Sequence, residues 1–170
     1  GAVSVSIFKK KIGDGKIRKI IVEGGILYCC CGDGFIRAIE VENMRVVREW
    51  WTHRLSANTF LILDDKHIIT GGRDAYIRLW DISFTIPAIK IEIPAHMHAI
   101  YSIIRIDEYV VTASMDKSIR IWRLPDLTLL KHIDAAKGGH RFSVNGLIKI
   151  SHNTFISYSD DSTVKKWKIN

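Results

Sequence analysis

The stretch Gly71–Asp81, GGRDAYIRLWD, decides how the rest of the chain is read. An apolar run ends in the polar turn at Arg73 and Asp74, and a second strand follows in which Tyr76, Arg78 and Trp80 alternate with Ile77 and Leu79. Successive side chains of a strand point to opposite faces, so this strand carries apolar bulk on both. Working outward, the same register returns: an Asp, two residues, Ile or Val, a base, one residue, then a large apolar residue. The copies are DGFIRAI (Asp33–Ile39), DAYIRLW (Asp74–Trp80), DKSIRIW (Asp116–Trp122) and DSTVKKW (Asp161–Trp167), and the steps between aspartates are 41, 42 and 45 residues.

The flanks repeat as well. LYCCCGD, IITGGRD, VVTASMD and ISYSDD each read as an apolar strand closing on a tight turn. NTFLIL, IYSIIRI and SVNGLIKI form an earlier strand, and AIKIEIP and TLLKHID a later one. No segment sustains a 3.6-residue period, so essentially no helix is expected. A unit of three or four short strands at 40–45-residue spacing is the blade of a β-propeller, a small sheet that buries its two apolar faces only by stacking on neighbours. The expected fold is all-β: a β-propeller of four blades, mostly of four antiparallel strands each, as a partial propeller, a small ring, or a ring completed by a dimer. One domain spans 1–170, with an outer strand over 1–12 and blades at 13–50, 51–92, 93–134 and 135–170. VSVSIFKK (Val3–Lys10) alternates as the outer strand of the last blade would, or as that of a blade whose other strands are not in the chain.

These residues resemble the WD-repeat (WD40-type) family. GGRDAYIRLWD matches its repeat ending, including the Trp80–Asp81 dipeptide, and ASMDKSIRIW follows it closely. The family's Gly-His element appears as Ala95–His96 and Gly139–His140, and more loosely as Thr52–His53. The resemblance implies a hydrogen-bonded tetrad in each complete blade: His53, Thr70, Asp74 and Trp80; His96, Thr112, Asp116 and Trp122; His140, Ser157, Asp161 and Trp167. Chained in this way, each buried polar group has a partner. The first repeat departs, with Cys29 for Ser or Thr, Ile39 for Trp, and Gly13 near the place of the His. Only Asp33 remains, so that blade is expected to lack the network, depend on apolar packing and be the weak one. From TGGRDAYIRLWDI to AAKGGHRFSVNGL the chain also looks like the last four blades of a group of bacterial seven-bladed WD-repeat proteins.

Composition narrows the function classes. In 170 residues, 47% are hydrophobic and 25% charged, which excludes wholesale disorder. No apolar run approaches the roughly 20 residues of a membrane span, and GAVSVSIFKKK lacks the order of a secretory signal. The net charge is +7 and unevenly spread: residues 1–20 hold Lys9, Lys10, Lys11, Lys16, Arg18 and Lys19 against Asp14 alone. Cys29, Cys30 and Cys31 are adjacent and alternate in direction, which fits buried strand residues in a reducing cytoplasm better than a disulfide or zinc site. The His–Ser/Thr–Asp sets recur at blade spacing, each with a Trp, and no G-x-S-x-G elbow exists, so a hydrolase is not expected. His96 has a tetrad role and His98 falls in a loop, so no metal is expected. No cofactor is expected either.

By the family's pattern two positions per blade face the channel mouth. One lies early in the first strand: Arg18, Asn58, Tyr101 and Asn145, flanked by Lys16 and Ser56. The other precedes the turn aspartate: Gly32, Arg73, Met115 and Asp160. Tyr, Met and Arg are the anchors that protein interfaces favour. The expected function is a non-enzymatic scaffold that binds a protein or peptide on this face, with Lys16, Arg18, Asn58, Arg73, Tyr101, Met115, Asn145 and Asp160 as the contact set. RNA or another polyanion on the basic surface is the alternative. No membrane partner is expected, and a homodimer through open blade edges is a further expectation. Trp50 and Trp51 are read as blade packing, with an exposed docking pair as the alternative.

Overall fold

A computed structural model describes residues 1–170. The chain is all-β, and its strands pair only with sequence neighbours. Blade 1 contains β1 (Ile17–Glu23), β2 (Ile26–Cys31), β3 (Phe35–Glu40) and β4 (Arg45–Trp51). Blade 2 contains β5 (Ala57–Asp64), β6 (His67–Gly72), β7 (Tyr76–Asp81) and β8 (Ala88–Pro94). Blade 3 contains β9 (Ile100–Ile106), β10 (Tyr109–Ser114), β11 (Ile119–Arg123) and β12 (Thr128–Ile133). Blade 4 has three strands: β13 (Val144–Ser151), β14 (Thr154–Ser159) and β15 (Val164–Lys168). The one helical element is a single 3₁₀ turn at Ala135–Lys137.

The repeated aspartate makes the turn between the second and third strands. Its carboxylate accepts the N–H two residues on: Phe35 to Asp33 at 3.2 Å, Tyr76 to Asp74 at 3.2 Å, Ser118 to Asp116 at 2.9 Å and Thr163 to Asp161 at 2.9 Å. The intervening residue turns left-handed in all four blades, with φ of 91° at Gly34, 69° at Ala75, 75° at Lys117 and 67° at Ser162. Asp bonding its own backbone is the chemistry that selects such turns.

The hydrophobic cores lie at the joints between blades. Cys30, Ile36 and Trp50 of blade 1 pack on Phe60, Ile68 and Trp80 of blade 2. Ile69, Ile77 and Leu79 of blade 2 pack on Ile103, Val110 and Trp122 of blade 3. Val111, Ile119 and Ile121 of blade 3 pack on Val144, Leu147 and Phe155 of blade 4. Each fully buried Ile, Leu or Phe contributes about 1.5–3 kcal/mol, so adjacent sheets stabilise one another.

No strand pairing or hydrogen bond joins blade 1 to blade 4. Ile17, Ile20 and Val22 of β1 are exposed, as are Ile148, Ile150, Tyr158 and Val164 of blade 4. The four blades form an open arc. Residues 1–12, expected as an outer strand, form none: Val3, Val5, Ile7 and Phe8 are exposed, and the outer edge of β15 is unpaired. Charge supplies a reason. Val3–Lys10 carries Lys9 and Lys10 and the β15 edge carries Lys165, Lys166 and Lys168, and like charges facing one another across a strand pair are destabilising.

Candidate partner-binding mouth

Three blades hold a closed chain of hydrogen bonds that stiffens the frame around the arc's centre. In blade 2, Trp80 Nε1 donates to Thr70 Oγ1 at 2.9 Å, Thr70 donates to His53 Nε2 at 2.8 Å, and His53 Nδ1 donates to Asp74 at 2.8 Å. In blade 3 the distances are 3.0 Å for Trp122 to Thr112, 2.7 Å for Thr112 to His96 and 2.9 Å for His96 to Asp116. In blade 4 they are 2.8 Å for Trp167 to Ser157, 2.7 Å for Ser157 to His140 and 2.9 Å for His140 to Asp161.

Electrostatics support neutral imidazole in this chain. Burial holds His53 and His96 below the ordinary histidine value, against the pull of Asp74 and Asp116. Burial alone would raise Asp74, yet the bonds from His53, Arg78 and the Tyr76 N–H outweigh it and hold the carboxyl at about 2. Asp116 is lowered by bonds from His96, Ser118 and the Met97 N–H, and Asp161 by bonds from Thr163, the Arg141 N–H and His140. Each hydroxyl accepts from Trp, gives its proton to His and is fully buried, so none is poised toward a substrate. The constellations serve structure, not catalysis.

Blade 1 corrects one expectation. It lacks the Trp–hydroxyl–His chain, but it does not depend on apolar packing alone. Arg37 donates to both oxygens of Asp33, at 3.1 and 2.7 Å, and to Glu49 at 2.9 Å. In blade 2 the equivalent Arg78 shares Asp74 with His53 and reaches Glu92 at 2.7 Å. With no histidine present, Arg37 takes the whole carboxylate. Cys29 and Cys31 lie on this same face, their sulfurs 3.9 Å apart, while Cys30 faces blade 2. Burial pushes the Cys30 thiol up to about 12. All three are free.

The mouth is built by a backbone device common to all four blades. Each inner strand carries one extra residue against its partner: Arg18 between Ile17 and Lys19, Asn58 between Ala57 and Thr59, Tyr101 between Ile100 and Ser102, and Asn145 between Val144 and Gly146. Such a bulge bends the strand and re-aims the side chain. Just before each turn aspartate, a backbone N–H crosses to the start of the inner strand. Gly32 bonds Lys16 O at 2.7 Å, Arg73 bonds Ser56 O at 2.9 Å, Met115 bonds Ala99 O at 2.9 Å and Asp160 bonds Ser143 O at 3.2 Å. The two positions of every blade are therefore held side by side.

One open cavity of about 590 Å³ gathers most of them. Arg18, Ser56, Asn58, Arg73, Ala99, Tyr101, Met115 and Asn145 line it. Lys16 and Asp160 lie outside the lining; Asp160 is reached by Asn145 Nδ2, which donates to it at 2.7 Å. Asn58 donates across the joint to Ile100 O at 3.1 Å and accepts from Ser56 Oγ at 2.8 Å, so it is largely a fixed wall. Ala99 is the lining residue that sequence reasoning passed over. Its signal was present, since it occupies the register of Lys16, Ser56 and Ser143. Trp50 is buried between blades 1 and 2, and the half-exposed Trp51 lies under Arg78 at 5.1 Å. They do not form an exposed pair. His98 is exposed, and no cluster of three metal-ligating side chains occurs. No helix is long and apolar enough to cross a membrane.

Comparison with known proteins agrees with this geometry. The family model described as "WD domain, G-beta repeat" matches residues 59–81 and 89–123, so these two segments are similar to WD40 repeats. Among curated proteins it is similar to the WD repeat-containing protein 55 homolog of Dictyostelium discoideum, 22% identical over 95% of this chain and 39% of that protein. It is also similar to the ribosome biogenesis protein ytm1 of Aspergillus oryzae, 29% identical over 63% of this chain and 21% of that protein. The chain thus spans less than half the length of these relatives. Among solved structures, the designed Ika4 protein superposes with a TM-score of 0.79 at 22% identity, covering 93% of this chain and 94% of that one. The RRP9 WD40 repeats superpose with a TM-score of 0.80 at 19% identity, covering 94% and 50%. These likenesses show the fold.

Proposed function

We propose that this chain is a non-enzymatic interaction scaffold that holds a protein or peptide partner at the channel mouth. The observation that supports it most is the repeated bulge, which turns Arg18, Asn58, Tyr101 and Asn145 inward from four separate sheets. Tyr101, Met115 and Arg73 are all exposed there on a frame fixed by tetrads and blade joints. Rigid sheets beneath variable mouth residues are a general route to recognition. The test is a Tyr101→Ala, Arg73→Ala double variant. It should fold normally by circular dichroism and lose saturable peptide binding; undiminished binding would place the partner elsewhere.

A second reading is RNA or another polyanion on the basic surface. Lys9, Lys10, Lys11, Lys16, Arg18 and Lys19 crowd one end of the chain, and one relative is titled a ribosome biogenesis protein. It requires affinity for a single-stranded oligonucleotide that falls steeply between about 50 and 200 mM salt, and a flat response excludes it.

The exposed faces of blades 1 and 4 would receive further blades. Those could belong to a seven-bladed protein of the bacterial type that the sequence resembles, or to a second copy joined through the open edges. Light scattering separates these readings for the chain itself: a mass near 19.4 kDa leaves the faces to other blades, and twice that mass supports a homodimer. Three free buried cysteines suit a reducing compartment such as the cytoplasm.

A further inference from the structure

We infer that the mouth selects a peptide bearing an acidic group followed by an apolar side chain, the acid seated between Arg18 and Arg73 and the apolar group on Tyr101 and Met115. This rests on the mouth being the binding face. The cavity is chemically graded along the arc. Its blade 1–2 end carries two guanidinium groups, Arg18 and Arg73, and neither makes a hydrogen bond or salt bridge through its side chain, although Arg37, Arg45 and Arg78 all pair with carboxylates. No acidic residue lines the cavity. An exposed, unpaired guanidinium pair is a ready site for a planar carboxylate or a phosphate, which it grips with two parallel N–H bonds.

The centre is apolar. Tyr101 is 38% exposed and Met115 is 47% exposed, and both line the same cavity. A tyrosine ring and a flexible thioether together accept an aliphatic or aromatic side chain without requiring one shape. The blade 4 end reverses sign: Asp160, with Asn145 donating to it, stands beside the cavity and repels an acid placed there. Unlike charges set at opposite ends fix the direction in which an extended peptide lies. The same gradient disfavours a uniformly charged nucleic-acid strand, which would meet Asp160 at one end.

The test uses fluorescein-labelled Gly-Ser decapeptides that differ only in a central pair: Glu-Leu, phosphoserine-Leu, Gln-Leu and Glu-Ala. Affinity is read by anisotropy, and the Arg18 and Arg73 Nε–H resonances are followed by NMR. The Glu-Leu peptide should shift both arginine resonances, and Gln-Leu and Glu-Ala should each bind about ten-fold more weakly. The phosphoserine peptide decides between carboxylate and phosphate as the preferred anion, and binding by either supports the inference. Arg18→Gln with Arg73→Gln should remove the difference between Glu-Leu and Gln-Leu while leaving the residual apolar binding. Equal binding of Glu-Leu and Gln-Leu at the mouth would overturn the charge assignment and leave the mouth reading intact. Binding that is unaffected by Tyr101→Ala with Met115→Ala, and that shifts neither arginine, would overturn both. Tighter binding of a single-stranded oligonucleotide at Arg18 and Arg73 would overturn the peptide preference.

Discussion

Gly13 and Arg37 share one space: a Cβ added to Gly13 would lie 2.6 Å from the Arg37 Cζ. The neighbouring blades place a histidine ring near the turn carboxylate, whereas blade 1 leaves room there and a guanidinium takes both oxygens of Asp33. The ion network Asp33–Arg37–Glu49 substitutes for the tetrad. Arg37→Met should therefore destabilise the protein by about 2 kcal/mol, the usual scale for lost hydrogen bonds to charged groups, as measured by urea unfolding. A cost near zero would mean that blade 1 stands on packing alone. Gly13→Ala should weaken the same network by displacing the guanidinium.

The hydroxyl at the centre of each tetrad is the most sensitive atom of the frame. Thr112→Val keeps shape but leaves the Trp122 N–H and the His96 Nε2 without a partner. Each orphaned buried group costs about 1–3 kcal/mol. The variant should unfold at clearly lower urea than Val111→Ala at the adjacent core position, because it loses two partners at once. A shift within error would show that water or repacking satisfies both groups.

Acid should loosen the blades before it protonates their carboxylates. His53 and His96 lie below their ordinary 6.5 in the folded chain. Below that pH the unfolded chain binds protons that the folded chain refuses, so stability is lost as pH falls through 6.5. Asp74 is held at about 2 against an ordinary 3.8, so its contribution is present above 3.8 and is lost between 3.8 and 2. The urea midpoint should decline from pH 7.5 to 5 and decline further below 4. His53→Gln with His96→Gln should flatten the first decline; an unchanged slope between pH 7.5 and 5 would remove the histidines from the account.

The left-handed turn residues offer a stabilising change. Ser162 sits at φ 67°, where a residue with a Cβ is strained by roughly 1–2 kcal/mol. Ser162→Gly should raise the thermal midpoint by an amount equivalent to about 0.5–1 kcal/mol, since glycine's greater freedom when unfolded offsets part of the relief. The reverse change, Gly34→Ala, should be strongly destabilising. Gly34 has φ 91°, and an added Cβ would collide with the His53 carbonyl oxygen.

Periodicity made most of the fold legible. The Asp33, Asp74, Asp116 and Asp161 spacing marks the four turns, because a short Asx-bonded turn is a local event that needs only its own residues. The strands around it follow from alternation. The tetrads were legible through the resemblance to the WD-repeat family, which implies that the Trp, Ser or Thr, His and Asp of each complete blade are chained. The mouth positions followed from the same family pattern, applied to each blade in turn. The replacement of a histidine by Arg37 was not legible, because Arg37 occupies the register of Arg78, and only the space beside Gly13 shows that it takes a second role. Nor was the failure of Val3–Lys10 to pair, since alternation alone does not register the lysines of the β15 edge. Nor were the bulges that aim Arg18, Asn58, Tyr101 and Asn145 inward, for one extra residue is visible only when two strands are laid together. The sequence by itself determined turns and strand faces, which depend on neighbours along the chain, and its family resemblance supplied the polar chains inside each blade. Tertiary structure alone decided which charges go unpaired, which edges stay open and which side chains meet at the mouth, because those depend on distances between separate blades.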